Sequence, residues 1–166
     1  MFTLQEFNEA LDIPYRLDQE RVKTVYIDKK HQEKLQFIKE NTILVHLLTQ
    51  TALTVPKRFE GLLIPSNFVV IQFTEQYDDM YFEWYFNEHP NIRRQIAMHT
   101  QGAIVSTLST TMLKEMIMDS VTYERQVDIG RMYGLQKRKN KLLEEKRVLE
   151  TRRMNQYLLN ITEAKQ

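Results

Sequence analysis

Residues that could perform catalysis are scattered along this 166-residue chain and form no familiar reaction motif. The histidines at positions 31, 46, 89 and 99 are far apart, and none belongs to an HExxH motif, so the sequence predicts no metal site. The sequence contains neither a GxxxxGK[ST] loop nor a GxGxxG loop, which argues against nucleotide-driven chemistry. Cysteine is absent, which excludes thiolate catalysis and disulfide bonds.

Two groups of polar residues could in principle be catalytic, but each has a simpler interpretation. Asp78, Asp79 and Glu83 form a carboxylate cluster, but no nucleophile or base motif accompanies it, so the solvated start of a helix is favoured. The hydroxyl run at residues 106–111 (STLSTT) lacks a GxSxG elbow and is better explained as a linker and helix cap. We therefore predict a chain that binds other macromolecules, without catalysis and without a cofactor of its own.

The charge of the chain is unevenly distributed, although the net charge is only +1. Residues 131–153 carry nine Lys or Arg against three Glu, a net charge of +6, which leaves −5 on the remainder. Such a segment is either an ordinary solvated helix face or a surface for a polyanion or an acidic partner.

The pattern of apolar residues predicts a mixed α+β domain at residues 1–120 and a long helix at residues 121–166. The expected strands are at residues 22–28, 42–48, 53–55, 68–73 and 116–121, and the expected shorter helices are at residues 2–11, 77–88, 91–101 and 110–116. We expect the strand at 68–73 (FVVIQF) to be buried on both faces because it is almost continuously apolar. Pro56 should end the preceding strand, Gly102 should end the second helix, and Ser109 is a plausible N-cap.

An aromatic stripe lies in the first predicted helix after the strands (Tyr81, Phe82, Trp84, Tyr85 and Phe86). Such rings can stack on bases, but their helical spacing in apolar surroundings favours core packing.

The long helix, about 60 Å if continuous, exceeds what a small domain can cover, so its far end must project or pack on a partner. Leu135, Leu142 and Leu149 recur every seventh residue, but the companion positions Arg138, Glu145 and Arg152 are charged. Further on, a wider apolar stripe favours self-association or docking over a free arm. The stripe consists of Met154, Tyr157, Leu158 and Ile161.

The N-terminal residues (MFTLQEFNEALD) lack the basic start and apolar run of a secretory signal. The longest apolar stretch, at residues 43–55, is too polar and too short to span a bilayer. We therefore expect a soluble, cytoplasmic protein that has no membrane partner.

Three consecutive pieces together resemble the second half of a target-recognition domain from the specificity subunit of type I restriction-modification systems. They are GLLIPSNFVVIQF, YFEWYFNEHPNIRRQIAMHTQGAIVSTLSTTMLKEMIM and YERQVDIGRMYGLQKRKNKLLEEKR, which begin at residues 61, 81 and 123; the segment from Gly61 onward, in which they lie, is about two thirds of the chain. The resemblance implies a non-catalytic subunit that reads duplex DNA. A separate methyltransferase subunit modifies adenine with S-adenosylmethionine, and a nuclease and translocase subunit joins for cleavage.

In that family the long helix pairs with its counterpart from another recognition domain and offers a docking surface for the methyltransferase. Complete members carry two domains and two helices, whereas this chain has one of each, so we expect a homodimer that reads a bipartite site. The lead-in to the helix (DSVTYERQ) retains only Glu124 and Gln126 of the common pattern. The expected pairing residues are Leu135, Leu142, Leu149 and Leu158.

Basic and polar loop residues are the candidates for DNA contact, each with an ordinary surface role as the alternative. They are Lys29, Lys30, His31, Gln50, Lys57, Arg58, Arg93 and Arg94. Two other hypotheses remain open: a structural module or degenerate copy that dimerises through its helix without DNA, and a hydrolase or transferase in an unfamiliar fold.

Overall fold

The computed structural model describes residues 1–13, 26, 35–100, 107–119 and 121–163, with only the backbone at Thr100. The chain is α+β, as the sequence predicts: a small antiparallel sheet with helices, followed by one long helix. The helices are α1 (Leu4–Ala10), α2 (Asp79–Glu88), α3 (Pro90–Thr100), α4 (Thr110–Glu115) and α5 (Tyr123–Glu163), and the strands are β1 (Ile43–His46), β2 (Thr51–Thr54) and β3 (Phe68–Ile71). The strand expected at 22–28, apart from Tyr26, and the helix end expected at Gly102 lie outside the described residues.

The sheet has β1 in the centre, with β2 and β3 antiparallel on either side. All four residues of β1 are buried, because alternate side chains enter different cores on the two faces of the sheet. Ile43 and Val45 pack with α2 and α3, whereas Leu44 packs with Phe2 and with Phe7 of α1. The strand that is buried on both faces is therefore β1.

The expectation that residues 68–73 form a strand buried on both faces is wrong. Only Phe68 is fully buried, and the remaining residues of β3 are half-buried. The reason is position: β3 lies at the edge of the sheet, so its apolar residues have neighbours on one flank only.

The outer edge of β2 is closed by two side chains of α2. The Asn87 amide accepts a hydrogen bond from Ala52 N (2.8 Å) and donates one to Ala52 O (2.9 Å), as a neighbouring strand would. Glu83 Oε2 accepts a hydrogen bond from Thr54 N (2.8 Å). Buried polar groups need such partners, and these contacts fix α2 antiparallel to β2.

The strand expected at residues 116–121 is absent from the part that the structure describes, 116–119 and 121. Its backbone is instead satisfied by side chains of the preceding helices. The Gln95 amide donates to Ile117 O (2.7 Å) and accepts from Ile117 N (2.9 Å), and Asp119 N donates to the Tyr85 hydroxyl (2.9 Å). The segment is thus held against α2 and α3, and it leads directly into α5.

Several local predictions are confirmed. Ser109 caps α4 by accepting from Met112 N (3.1 Å), and the strand before Pro56 ends at Thr54. The aromatic stripe belongs to the core, since Tyr81, Phe82, Tyr85 and Phe86 are buried and Trp84 is half-buried. Among the described helices, none combines the length and the apolar composition needed to cross a bilayer.

Candidate functional site

The base of α5 is tied to the start of α2 by a buried glutamine. Gln126 is only 4% exposed, and its Oε1 accepts a hydrogen bond from Asp78 N (3.1 Å). Its Nε2 donates to Val121 O (3.1 Å), in the residues just before α5. A buried amide with hydrogen bonds at both its oxygen and its nitrogen constrains the orientation of the first turn of α5 on α2.

One turn further, Gly130 allows the two helices to approach closely. A β-carbon at this position would lie 2.2 Å from Asp78 Oδ1 and 3.0 Å from Tyr81 N. Asp78 cannot easily move away, because the same Oδ1 accepts from Tyr81 N (2.8 Å) as the N-cap of α2. Gly134 differs, since its β-carbon would meet only Met80 Cε at an ordinary 3.6 Å.

A buried ion pair forms the next contact between the helices. Lys137 Nζ lies 2.5 Å from Glu83 Oε1, and the Glu83 side chain is completely buried while that of Lys137 is partly exposed. Burial raises the pKa of the adjacent Tyr133 to about 12, and the negative charge of Glu83 adds to this effect. The expectation that Glu83 is solvated at a helix start is therefore wrong: Glu83 joins β2, α2 and α5.

Farther along α5, Lys141 Nζ lies 2.8 Å from Asp12 Oδ1, and this is the last ion pair between the helix and the described part of the domain. From residue 145 to residue 163 every side chain is exposed except the half-buried Val148. The helix has 41 residues and is about 60 Å long, so roughly its second half projects beyond the domain.

The four predicted pairing residues are all exposed on α5. Leu135, Leu142 and Leu149 are 61%, 55% and 62% exposed, and Leu158 is 53% exposed. They do not form one line. Leu158 follows Leu149 by nine residues, which at 100° per residue places it on the opposite side of the helix.

A second apolar surface therefore exists near the end of α5, and Leu158 belongs to it. We define the distal stripe as the exposed residues Met154, Tyr157, Leu158 and Ile161. Their spacing of three, one and three residues keeps them on one side of the helix, and none is charged. Nothing within the described residues covers this stripe.

The structure places the candidate DNA-binding residues in two separate regions. Gln50 lies in the β1–β2 turn with a left-handed φ of 55°, and Arg93 and Arg94 are exposed in the first turns of α3. These three share one end of the domain, because α3 starts just after Asn87, which is bonded to Ala52 at the start of β2.

Lys57 and Arg58 lie beyond the other end of β2, in a 3₁₀ helix, Lys57–Phe59. Each has a carboxylate partner: Lys57 Nζ lies 3.6 Å from Glu40, and Arg58 lies 3.3 Å from Glu9. The remaining candidates, Lys29, Lys30 and His31, lie outside the described residues.

The basic segment of α5 also divides into two groups. Four of its cations form ion pairs with carboxylates: Lys137, Lys141, Lys146 and Arg147. The other five have no carboxylate partner among the described residues: Arg131, Arg138, Lys139, Arg152 and Arg153. The second group gives the exposed part of α5 its positive charge.

Sequence reasoning missed the residues that mount α5 on the domain. A pair of glycines four residues apart, Gly130 and Gly134, in a helix without proline was the available signal for close helix packing. The roles of Glu83 and Lys137 had no local signal, since these residues are far apart in sequence. In the described part of the chain, no group of three His, Asp or Glu side chains is arranged to hold a metal ion.

Comparisons of the chain with protein families, with curated proteins and with solved structures found no match.

Proposed function

We propose that this chain is a half-size, sequence-specific DNA-recognition subunit of a type I restriction-modification enzyme, acting as a dimer in the cytoplasm. In this role it catalyses nothing itself. It positions a methyltransferase subunit, and for cleavage a nuclease and translocase subunit, on duplex DNA. The proposal combines the sequence resemblance with one structural observation: a small α+β domain carries a projecting helix whose base is locked by buried contacts.

An adaptor role is supported by the way in which α5 is held at its start by the domain and then extends beyond it. A helix that only needed to cover the domain core would end near Lys141, which forms its last ion pair with the described part of the domain. Instead α5 continues to Glu163 with exposed leucines, which a chain working alone would leave in water. We assign self-association to the distal stripe, because its neutral residues carry no like charges into a twofold contact.

For DNA contact we favour the region of Gln50, Arg93 and Arg94 over the region of Lys57 and Arg58. Arg93 and Arg94 are exposed and have no carboxylate partner among the described residues, so they are available to phosphates. Lys57 and Arg58 already face Glu40 and Glu9. Lys29, Lys30 and His31 remain candidates from the sequence.

The second candidate function is a structural module that dimerises through α5 without binding DNA. The observation that favours it is that two of the predicted DNA-contacting cations, Lys57 and Arg58, are engaged in ion pairs within the domain.

Duplex binding measured over a series of salt concentrations separates the two. We expect log K to fall linearly with log salt, and the double variant Arg93→Ala/Arg94→Ala to reduce the slope by about 1.8, which is about 0.9 per phosphate contact. The matched control, Lys57→Ala/Arg58→Ala, removes the same charge and should change the slope less. Salt-independent binding, or no binding, would contradict DNA recognition.

Sedimentation and site selection test the dimer. We expect a dimer that Leu158→Ser converts to a monomer, and selection from a random duplex library should return a bipartite site with symmetric halves. Dimers that form normally but select no duplex would favour the structural module.

A further inference from the structure

One side of α5 combines leucines and arginines in a regular order. Leu135, Leu142 and Leu149 alternate with Arg131, Arg138, Glu145 and Arg152 in steps of four and three residues, which keeps all seven on one side of the helix. All seven are exposed, and we call this surface the Leu/Arg face. At 1.5 Å per residue it extends for roughly 30 Å.

The Leu/Arg face is distinct from the side of α5 that contacts the domain. The domain contacts run through Gln126, Gly130, Lys137 and Lys141. The leucines are rotated from that line by roughly 120°, at 100° per residue. The described part of the domain, held by the contacts at the base of α5, therefore leaves this face exposed.

A second copy of this chain is a poor occupant of the Leu/Arg face. In a parallel pair each arginine and the single Glu145 would meet the same residue of the other copy, and like charges in an interface are strongly unfavourable. In an antiparallel pair the leucine positions of one helix would meet the charged positions of the other, so no two leucines would pack together. Self-association is better served by the uncharged distal stripe.

The charges instead favour a partner helix that has acidic residues where this face has arginines. Arg131, Arg138 and Arg152 are exposed, and within the described residues no carboxylate competes with an incoming acid for them. The leucine spacing of seven residues matches the repeat with which two helices contact each other. Three exposed leucines in the same line are of no use to a phosphate backbone, which argues for a protein rather than a nucleic acid on this face.

We infer that the Leu/Arg face of α5 binds an acidic amphipathic helix of a different protein, with apolar residues against the leucines and carboxylates against Arg131, Arg138 and Arg152. This inference rests on the proposed role of the chain as an adaptor and names the chemistry of the helix that it would position.

A designed peptide tests the inference on the full-length chain. The probe is a fluorescent four-heptad helix with Leu and Glu at the two core positions of each heptad. The comparison peptide has Lys in place of each Glu. At low salt we expect the Glu peptide to bind about thirtyfold more tightly than the Lys peptide, because three pairs with arginine change from attraction to repulsion while the pair with Glu145 changes in the opposite sense.

Variants of the chain locate the binding surface. Arg152→Glu, at a position eleven residues beyond Lys141, should weaken binding of the Glu peptide about fivefold and strengthen binding of the Lys peptide, and Leu142→Ser should weaken binding of both. The matched control is Arg125→Glu, because Arg125 is exposed on a different side of the first turn of α5 and should leave both affinities unchanged. Circular dichroism verifies that each variant retains its helix.

Three results would overturn the inference: neither peptide binds, both bind equally, or Arg152→Glu alters duplex affinity and leaves peptide affinity unchanged. Conversion of a dimer to a monomer by Leu142→Ser would also overturn it, because the face would then serve self-association. A chain that binds the duplex but not the Glu peptide retains the proposed function and loses this inference. A chain that binds the Glu peptide but no duplex retains this inference and loses DNA recognition.

Discussion

Replacing Gly130 with alanine tests the close packing of α5 on α2. The new methyl group would lie 2.2 Å from Asp78 Oδ1, which must therefore move and give up its hydrogen bond to Tyr81 N. Loss of an N-cap costs about 1 kcal/mol, and the remaining approach of 3.0 Å to Tyr81 N forces the helices apart at a cost of about 1–3 kcal/mol. Alanine gains about 1 kcal/mol in helix propensity, so the net loss is about 1–3 kcal/mol.

The assay is urea unfolding followed by circular dichroism, with Gly134→Ala as the matched control. The same substitution one turn later meets only Met80 Cε at 3.6 Å, so it should stabilise the protein by up to about 1 kcal/mol. The two glycine variants should therefore move the unfolding midpoint in opposite directions. Equal stability of the two variants, or a more stable Gly130→Ala, would refute the close approach of the helices.

Two further predictions concern buried polar groups. Lys137→Met leaves the Glu83 carboxylate buried without its cation and should destabilise the protein by about 3 kcal/mol in urea unfolding. Adding Glu83→Gln should recover much of this loss, because glutamine still accepts from Thr54 N, and a double variant no more stable than Lys137→Met would contradict the role of charge. Burial lowers the pKa of His46 below its ordinary 6.5, so the neutral ring is favoured in the folded state, and stability should be full above pH 6.5 and fall as the pH decreases through the lowered value. His46→Gln should flatten this part of the profile of unfolding free energy against pH, and an unchanged profile would assign the effect to other groups.

The sequence predicted the long elements well because their signals are local. The helical spacing of the aromatic residues in α2, the N-cap Ser109 and the uninterrupted helix-favouring residues of α5 all lie within a few turns of the structure that they specify. The exposure of Leu149 also follows from helix length, since the domain is too small to cover so long a helix, whereas Leu135 is exposed because it lies on the side of α5 away from Lys137 and Lys141.

The wrong strand predictions have a common physical cause. The group that pairs with a segment's backbone lies far away in the sequence, so a local pattern of residues does not identify it. Residues 116–119 have the composition of a strand, but their partners are side chains of Gln95 and Tyr85, so no strand forms there. In the same way, the apolar run at β3 could not reveal that β1 occupies the centre of the sheet. On α5, local spacing predicted that these leucines are exposed. It did not show that Leu158 lies on the other side of the helix from Leu135, Leu142 and Leu149, which follows only from the rotation of 100° per residue.

The rigid mounting at Gly130 has a geometric consequence for anything attached at the far end of α5. Glu163 lies 33 residues beyond Gly130, about 50 Å along the axis, so a tilt of about 5° at the pivot displaces the tip by roughly 4 Å. That displacement is comparable to the rise of one base pair, about 3.4 Å. In an assembly that requires a set distance between two half-sites, the glycine at position 130 would help to set that distance, because it fixes the angle of α5 on the domain.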